Sequence, residues 1–266
     1  MGHANQRWCE GEARWAFPRH RCDVKLLDAA PISYAEASEF IKLHHYSESY
    51  PSVRYRVGFF FCGRLSGVAT FGIPAGPAVL QAWTGFGQEE AIELNRFVLL
   101  EELGYNAESH CLKLARRLLK QALPGLKALL AFSDPVLRTD LSGRKVMPGH
   151  TGTIYQATNA AYRGRSGAQK LLLDDDGKTI SKRLLQKIRR QESGHDYATR
   201  RLLDAGASPP EQGEPPGAWL KRVLPSFRRL AHPGNHGYVW ALDRKVSYSS
   251  CLPYPKLVDP IQLGLF

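Results

Sequence analysis

What this chain lacks narrows what it can be. It has no run of about twenty apolar residues, the length a helix needs to cross a bilayer, so no membrane-spanning helix is expected. It has no CxxC spacing. Its five cysteines (Cys9, Cys22, Cys62, Cys111 and Cys251) are odd in number and sit among apolar or mixed neighbours. That pattern argues against a disulfide framework or a zinc knuckle and for reduced thiols, which makes the cytoplasm the expected address. The opening MGHANQRWCEGEARW is too polar for a secretory signal. No internal repeat recurs. Acid is also in short supply: 25 Asp and Glu face 36 Lys and Arg, a formal +11 with a pI near 9.5. The excess points to a polyanionic partner, nucleic acid first, and its clustering along the chain argues against simple solubility charge.

What is present reads as an ordinary globular chain: 266 residues, 43% hydrophobic and 23% charged, enough to bury a real core. SYAEASEFIKLH (33–44) starts with a Ser cap and keeps helical spacing. RYRVGFFFCG and RLSGVATFGIP read as a hairpin joined at Gly63, and EAIELNRFVLL (90–100) as a strand with Asn95 and Arg96 on its polar side. Residues 107–123 give the strongest helix, with Leu112, Ala115, Leu118, Leu119 and Ala122 as its apolar stripe. GLKALLAFSD (125–134) is a buried strand, TIYQATNAAY (153–162) a short helix entered from Gly152, and NHGYVWALDRK (235–245) a strand returning to the sheet. This order predicts a mixed α/β (α+β) sheet in which a parallel pair, joined by a right-handed helical crossover, lies beside an antiparallel hairpin. The ligand crevice of such a sheet opens at the C-terminal ends of diverging strands. Residues 178–201 are basic on a helical pattern, 208–217 form a Pro/Gly linker, and AWLKRVLPSFRRLAH is a second basic amphipathic piece. We read 170–232 as a basic insertion within a single domain spanning 1–266. It is either a solvated face or a phosphate-tracking surface carrying Lys182, Arg183, Lys187, Arg189 and Arg190.

Four polar clusters fall where the topology makes its cleft. Asp134, fixed by Pro135 at the end of a buried strand, suits a general base or a metal ligand as well as a turn cap. In GHTGTIYQATN, Gly149 and Gly152 permit a tight turn into a helix start that favours an oxyanion or phosphate. Tyr155 and Asn159, four apart, share one helical face. The Tyr155 phenol suits protonation of a leaving group, and Gln156 or Asn159 suits reading a base edge. His44, His45 and Tyr46 follow a helix, and His45, Tyr46 and Asp134 together suit a hard or borderline metal such as iron. Asn106 and Ser109 open the long helix, where an acyl-CoA diphosphate would be bound, or where they act as ordinary caps.

In fixed order, the HHY segment, ELNRFVLL, NAESHCLKLARRLL, LLAFSDP and GHTGTIYQATN resemble the Mom family of Mu-like phage DNA-modification proteins, over roughly residues 35–165 plus NHGYVWAL. The resemblance implies a branch of the GNAT acyltransferase fold. It also implies conversion of adenine in duplex DNA to a carbamoylmethyl-type derivative on N6, an anti-restriction protection of phage DNA within the host cytoplasm. Carried over by motif, its functional positions are His45, Tyr46, Arg96, Ser109, Asp134 and Tyr155, with iron held by His45, Tyr46 and Asp134. Ordinary GNAT enzymes carry a Gln/Arg-x-x-Gly-x-Gly/Ala turn before the long helix. Here that place reads EELGYNAES, which puts an acetyl-CoA-like donor in doubt, and residues 138–148 lengthen the loop after Asp134. The rivals are a GNAT enzyme acylating a protein or small-molecule amine, an adenine N6-methyltransferase, and a non-catalytic DNA-binding protein. The methyltransferase reading is weak because SDPVL lacks the second Pro and the aromatic of its motif. The sequence leaves a homodimer open.

Overall fold

A computed structural model describes residues 5–10, 12–16, 21–74, 76 and 78–256, with side chains excluded for 5–9 and 12–16. Along the chain the elements are β1 (Asn5–Cys9), β2 (Glu12–Ala16), β3 (Leu27–Pro31), α1 (Tyr34–His44), β4 (Tyr55–Phe61), β5 (Arg64–Gly72), α2 (Ala78–Thr84), β6 (Ala91–Leu99), α3 (Ala107–Ala122) and β7 (Ala128–Ser133). Then come β8 (Arg138–Thr139), β9 (Lys145–Met147), α4 (Thr153–Ala157), β10 (Ala161–Arg165), β11 (Gln169–Leu173), β12 (Thr179–Ile180), α5 (Lys182–Arg190), α6 (His195–Asp204), α7 (Pro216–Val223), β13 (Arg228–His232) and β14 (His236–Ala241). They divide into two compact units: 1–135 with 149–166 and 235–266, and 136–148 with 167–234.

The first unit is built on a seven-stranded sheet in the order β10-β14-β7-β6-β5-β4-β3. Only β6 and β7 run parallel, and α3 is the crossover between them. The expected mixed central sheet flanked by helices is therefore present. Local chemistry explains its elements. Ser33 caps α1 with a reciprocal box: its hydroxyl accepts from the Glu36 amide at 3.2 Å, and the Glu36 carboxylate accepts from the Ser33 amide at 2.8 Å. β4 and β5 turn at Cys62 and Gly63, both at positive φ, the geometry that suits a two-residue hairpin. α3 buries Ala107, Cys111, Leu112, Ala115 and Leu119 against Ile92, Leu94, Leu129 and Ala131 of the central strands. Leu118 only packs at the edge of that cluster, and Ala122 is exposed.

Two elements differ from the sequence reading. The strand expected at 125–134 is shorter, and Asp134 lies just past its end. The helix expected at 153–162 stops at Ala157, because Asn159 enters the left-handed region at φ 59. The residues beyond it instead form β10, the edge strand on β14.

The second unit has its own sheet, β12-β11-β13, a β8–β9 hairpin and helices α5 to α7. Ile180, Ile188, Ala198, Leu202, Trp219, Leu220, Val223 and Phe227 close a separate core, and the Trp219 indole N–H donates to the Ser208 carbonyl at 2.8 Å. The second basic amphipathic piece of the sequence is α7 followed by strand β13. Of the cysteines, Cys22, Cys62, Cys111 and Cys251 are in no disulfide, and the side chain of Cys9 lies outside the described residues. No helix among the described residues is long and apolar enough to cross a membrane.

Candidate active site

The site begins with a failure of pairing. β6 and β7 are hydrogen-bonded only from Ala91 opposite Ala128 to Leu94 opposite Ala131. Beyond that, β6 continues with β5 as far as Leu99, and β7 continues with β14 as far as Ser133. The two strands part at their C-terminal ends, where an α/β sheet binds its ligands. A bulge marks the divergence: Thr70 opposes Arg96 and Phe71 opposes Leu94, which leaves Asn95 as the extra residue. Here the 49–54 segment crosses the strand end. A β-carbon at Gly72 would collide with the Ser52 carbonyl, so only glycine permits that crossing.

Glu93 sits on β6 at this point. It is half-buried, and its carboxyl has no hydrogen-bond or ion-pair partner among the described residues. Burial raises its pKa from 4.5 to about 7, opposed by the Arg96 charge. Arg96 itself donates to the Asn95 carbonyl at 2.7 Å and to Ser49 Oγ at 3.1 Å, while its Nε is buried without a partner. Burial lowers its pKa, and Tyr46 and Glu93 counter the shift.

Tyr155 lies on the first turn of α4, entered through Gly152 at φ 75. Its ring packs on Tyr238 and Trp240, both at 5.4 Å between centroids. Burial raises its pKa, reinforced by Tyr46, Tyr238 and Glu93, so the phenol keeps its proton. Its hydroxyl has no hydrogen-bond partner among the described residues. A β-carbon on Gly152 would stand 2.6 Å from the Tyr238 ring and 2.9 Å from that of Tyr155. Gly152→Ala therefore combines a left-handed strain of about 1–2 kcal/mol with a steric clash. We expect a lower unfolding temperature, by about 2–4 °C per kcal/mol, together with loss of activity. An unchanged melting curve would contradict this packing.

Three neutral histidines surround these groups. His45 caps the end of α1 and is buried; burial holds its pKa well below the usual value, and Arg96 and His150 push the same way. The His150 amide donates to the Asp134 carbonyl at 2.7 Å, its ring lies 6.4 Å from that of Tyr155, and burial lowers its pKa against the pull of Asp134. His236 stands opposite the fully buried Ser133, shares a 2.8 Å hydrogen bond between its Nδ1 and the Tyr162 hydroxyl, and has its pKa lowered to about 4, mainly by burial.

The structure thus brings His45, Tyr46, Arg96 and Tyr155 into one electrostatic neighbourhood, with Asp134 beside His150. Other sequence candidates fall elsewhere or are otherwise engaged. The Gln156 amide nitrogen lies 3.1 Å from the Thr151 carbonyl, the Tyr238 hydroxyl and the Pro255 carbonyl, a tie that holds α4 in place and leaves it unavailable for a base edge. Asn159 lies beyond the helix, so it shares no helical face with Tyr155. Ser109 donates to the Asn106 carbonyl at 3.1 Å, and Asn106, at φ 68, caps nothing with its side chain. Glu108 occupies the first turn of α3, where a donor's diphosphate would meet its negative charge. Lys182, Arg183, Lys187, Arg189 and Arg190 all lie on α5 in the second unit.

The implied iron would be held by His45, Tyr46 and Asp134. Among the described residues, no group of three His, Cys, Asp or Glu side chains is placed to hold a metal ion. A metal-bound imidazole donates its second N–H to an acceptor. At His45 the Ser47 amide donates to Nδ1 at 3.1 Å, which puts the single proton of the neutral ring on Nε2.

Sequence reading missed Glu93 and His150. Both were in quoted motifs, and the available signal for Glu93 was a carboxylate inside a strand whose neighbours are apolar on both sides.

A seven-stranded mixed sheet flanked by helices, splitting at the ends of its parallel pair, defines an α/β protein. The model of the Mom protein family matches residues 27–212, and the chain belongs to that family. Compared with curated proteins, the chain matches none. Among solved structures it is similar to a tandem GNAT protein from the clavulanic acid biosynthesis pathway, with 11% identity and a TM-score of 0.39 over 82% of this chain and 99% of that one. An N-acetyltransferase from Staphylococcus aureus Mu50 gives 11% and 0.35 over 82% and 99%. A GNAT family acetyltransferase from Elizabethkingia anophelis with acetyl-CoA bound gives 8% and 0.33 over 81% and 98%.

Proposed function

We propose that this protein is a transferase that places an acyl-type group, carbamoylmethyl in character, on N6 of adenine in duplex DNA and so shields phage DNA from restriction. The observation that carries the reading is the pairing of Glu93, a carboxyl with a pKa of about 7, with Tyr155, a phenol held protonated, neither of them engaged by the protein. Membership of the Mom family supports DNA as the substrate.

Adenine N6 is a weak nucleophile because its lone pair is delocalised into the ring. As N6 attacks the electrophilic carbon of the donor, the new C–N bond forms and the bond to the leaving group breaks. Glu93 takes the N6 proton, and Tyr155 gives its proton to the leaving group. Arg96 lies where it limits the repulsion between Glu93 and the developing anion. In a duplex the adenine must first leave the stack, at a cost of a few kcal/mol, which contacts to the backbone offset. Mass spectrometry of nucleosides from cells expressing this chain tests the reading. The expected result is a new adenosine species. Unmodified adenosine from abundant folded protein would overturn it and favour a GNAT-type enzyme acting on a protein or small-molecule amine.

A further inference from the structure

The second unit carries a charge imbalance that the groups around Glu93 do not explain. In less than a third of the chain it holds 16 Lys and Arg against 9 Asp and Glu, a formal +7 of the total +11. We infer that the outward faces of α5 and α6 form a docking surface for the duplex, gripping its phosphates through Lys187, Arg189, Arg190, Arg200 and Arg201. This rests on DNA being the substrate.

α5 reads KRLLQKIRR and contains no carboxylate. Ile188 is buried, and Leu184 and Leu185 pack against the same core, so the remaining residues face outward. Arg183 and Lys187 are four apart and Lys187 and Arg190 three apart, spacings that destabilise a helix by a few tenths of a kcal/mol per like-charge pair. A merely solvated face would mix the signs. α6 carries two acids, Asp196 and Asp204, neither in an ion pair with an arginine among the described residues, and other acids of this unit are committed elsewhere. Glu192 holds Arg183 at 2.6 Å, Glu214 holds Arg222 at 2.6 Å, Asp140 holds Arg144 at 3.0 Å, and Asp174 accepts from the Lys178 amide at 2.7 Å. That leaves Arg189, Arg190, Arg200 and Arg201 exposed, with no carboxylate in ion-pair range among the described residues. The helix dipole, worth about half a charge, accounts for one cation at the end of α5 but not for three. α5 and α6 are joined by four residues, Gln191 to Gly194, and share the core around Ile188, Ala198 and Leu202, so their polar faces adjoin. An anionic lipid surface would need several apolar residues on this face; those of α5 are turned inward, and Tyr197 is the one large apolar side chain that α6 exposes among the described residues.

The test uses the full chain with Arg189→Gln, Arg190→Gln and Arg200→Gln combined, and a fluorescein-labelled random duplex titrated by anisotropy across a salt series. Three lost phosphate contacts should reduce the slope of log K against log salt by about 2.7 and weaken binding roughly a hundredfold near physiological salt. The corresponding Arg→Lys triple should keep the wild-type slope, and a thermal melt of both triples should match wild type. An unchanged slope in the Gln triple would overturn the surface, as would tighter wild-type binding to double-stranded RNA or to phosphatidylserine vesicles than to duplex DNA. Nucleoside analysis separates this from the transfer chemistry. A slope lost in the triple with unmodified adenosine in cells expressing wild type rejects the transfer reading and leaves the surface standing. Wild-type binding and modification by the triple reject the surface and leave the transfer.

Discussion

Glu93→Gln is expected to cost adenine modification by about 10²- to 10⁴-fold in timed expression, the range for removing a general base. It should also make the protein more stable at alkaline pH. The two effects have one cause. Burial raises the Glu93 pKa from 4.5 to about 7, so the folded state resists ionising this carboxyl while the unfolded chain does not. Between those two values the folded protein binds more protons than the unfolded chain, and stability from this residue falls as pH rises. Below the lower value the cost is absent; above the upper one it is complete, at most about 3 kcal/mol. Glutamine has no charge to bury. Its advantage over wild type should therefore grow from about 1 kcal/mol at pH 5 to about 3 kcal/mol at pH 8, read as unfolding temperatures at about 2–4 °C per kcal/mol. The histidines act in the opposite sense. With folded pKa values depressed, His45, His150 and His236 add stability above the ordinary histidine value that is lost on acidification, down to about 4 for His236. Wild type is thus pulled down from both sides, and the variant mainly from the acid side. A variant that loses modification without a pH-dependent gain would mean that Glu93 is solvated and its role is not that of a base.

The β6–α3–β7 core was legible because two short apolar segments flank sixteen residues whose apolar positions recur at the helical period. The single-period reading failed where two short elements abut. TIYQATNAAY looks helical throughout, and nothing in its composition announces that Asn159 will turn left-handed and release β10 to the sheet edge. α2 escaped notice because seven residues between Pro and Gly give too few repeats to register. In the second unit, β13 reads RRLAH, and its adjacent arginines continue the basic run of α7, so it passed for part of one basic amphipathic piece. At the site, Arg96 was found and Glu93 was not, for a physical reason. Sequence displays the identity of a polar residue, but the two differ in what the fold gives them: hydrogen-bond partners for Arg96, and desolvation alone for Glu93. Likewise the Gln156 amide was legible as a hydrogen-bonding group, but its partners Tyr238 and Pro255 come from 82 and 99 residues away.

Tyr155→Phe should remove modification almost as completely as loss of the base, yet leave stability nearly unchanged. A buried tyrosine hydroxyl normally contributes through a hydrogen bond worth about 1 kcal/mol, and its removal is felt on folding. Here the hydroxyl has no such partner among the described residues, while the ring makes the packing contacts with Tyr238 and Trp240 that phenylalanine would keep. Thermal unfolding of the variant should therefore lie within about 0.5 kcal/mol of wild type, the scatter of a neutral substitution. Activity answers to a different property. Burial and the neighbouring Glu93 both raise the phenol's pKa, so it stays protonated at neutral pH and can give a proton only when a strongly basic leaving group departs beside it. Tyr238→Phe is the control, because that hydroxyl is hydrogen-bonded to the Thr151 carbonyl and to the Gln156 amide. It should lower the unfolding temperature measurably. If the two variants exchange behaviours, with Tyr155→Phe unfolding early and still modifying adenine, the phenol of Tyr155 is a packing element and the proton for the leaving group comes from elsewhere.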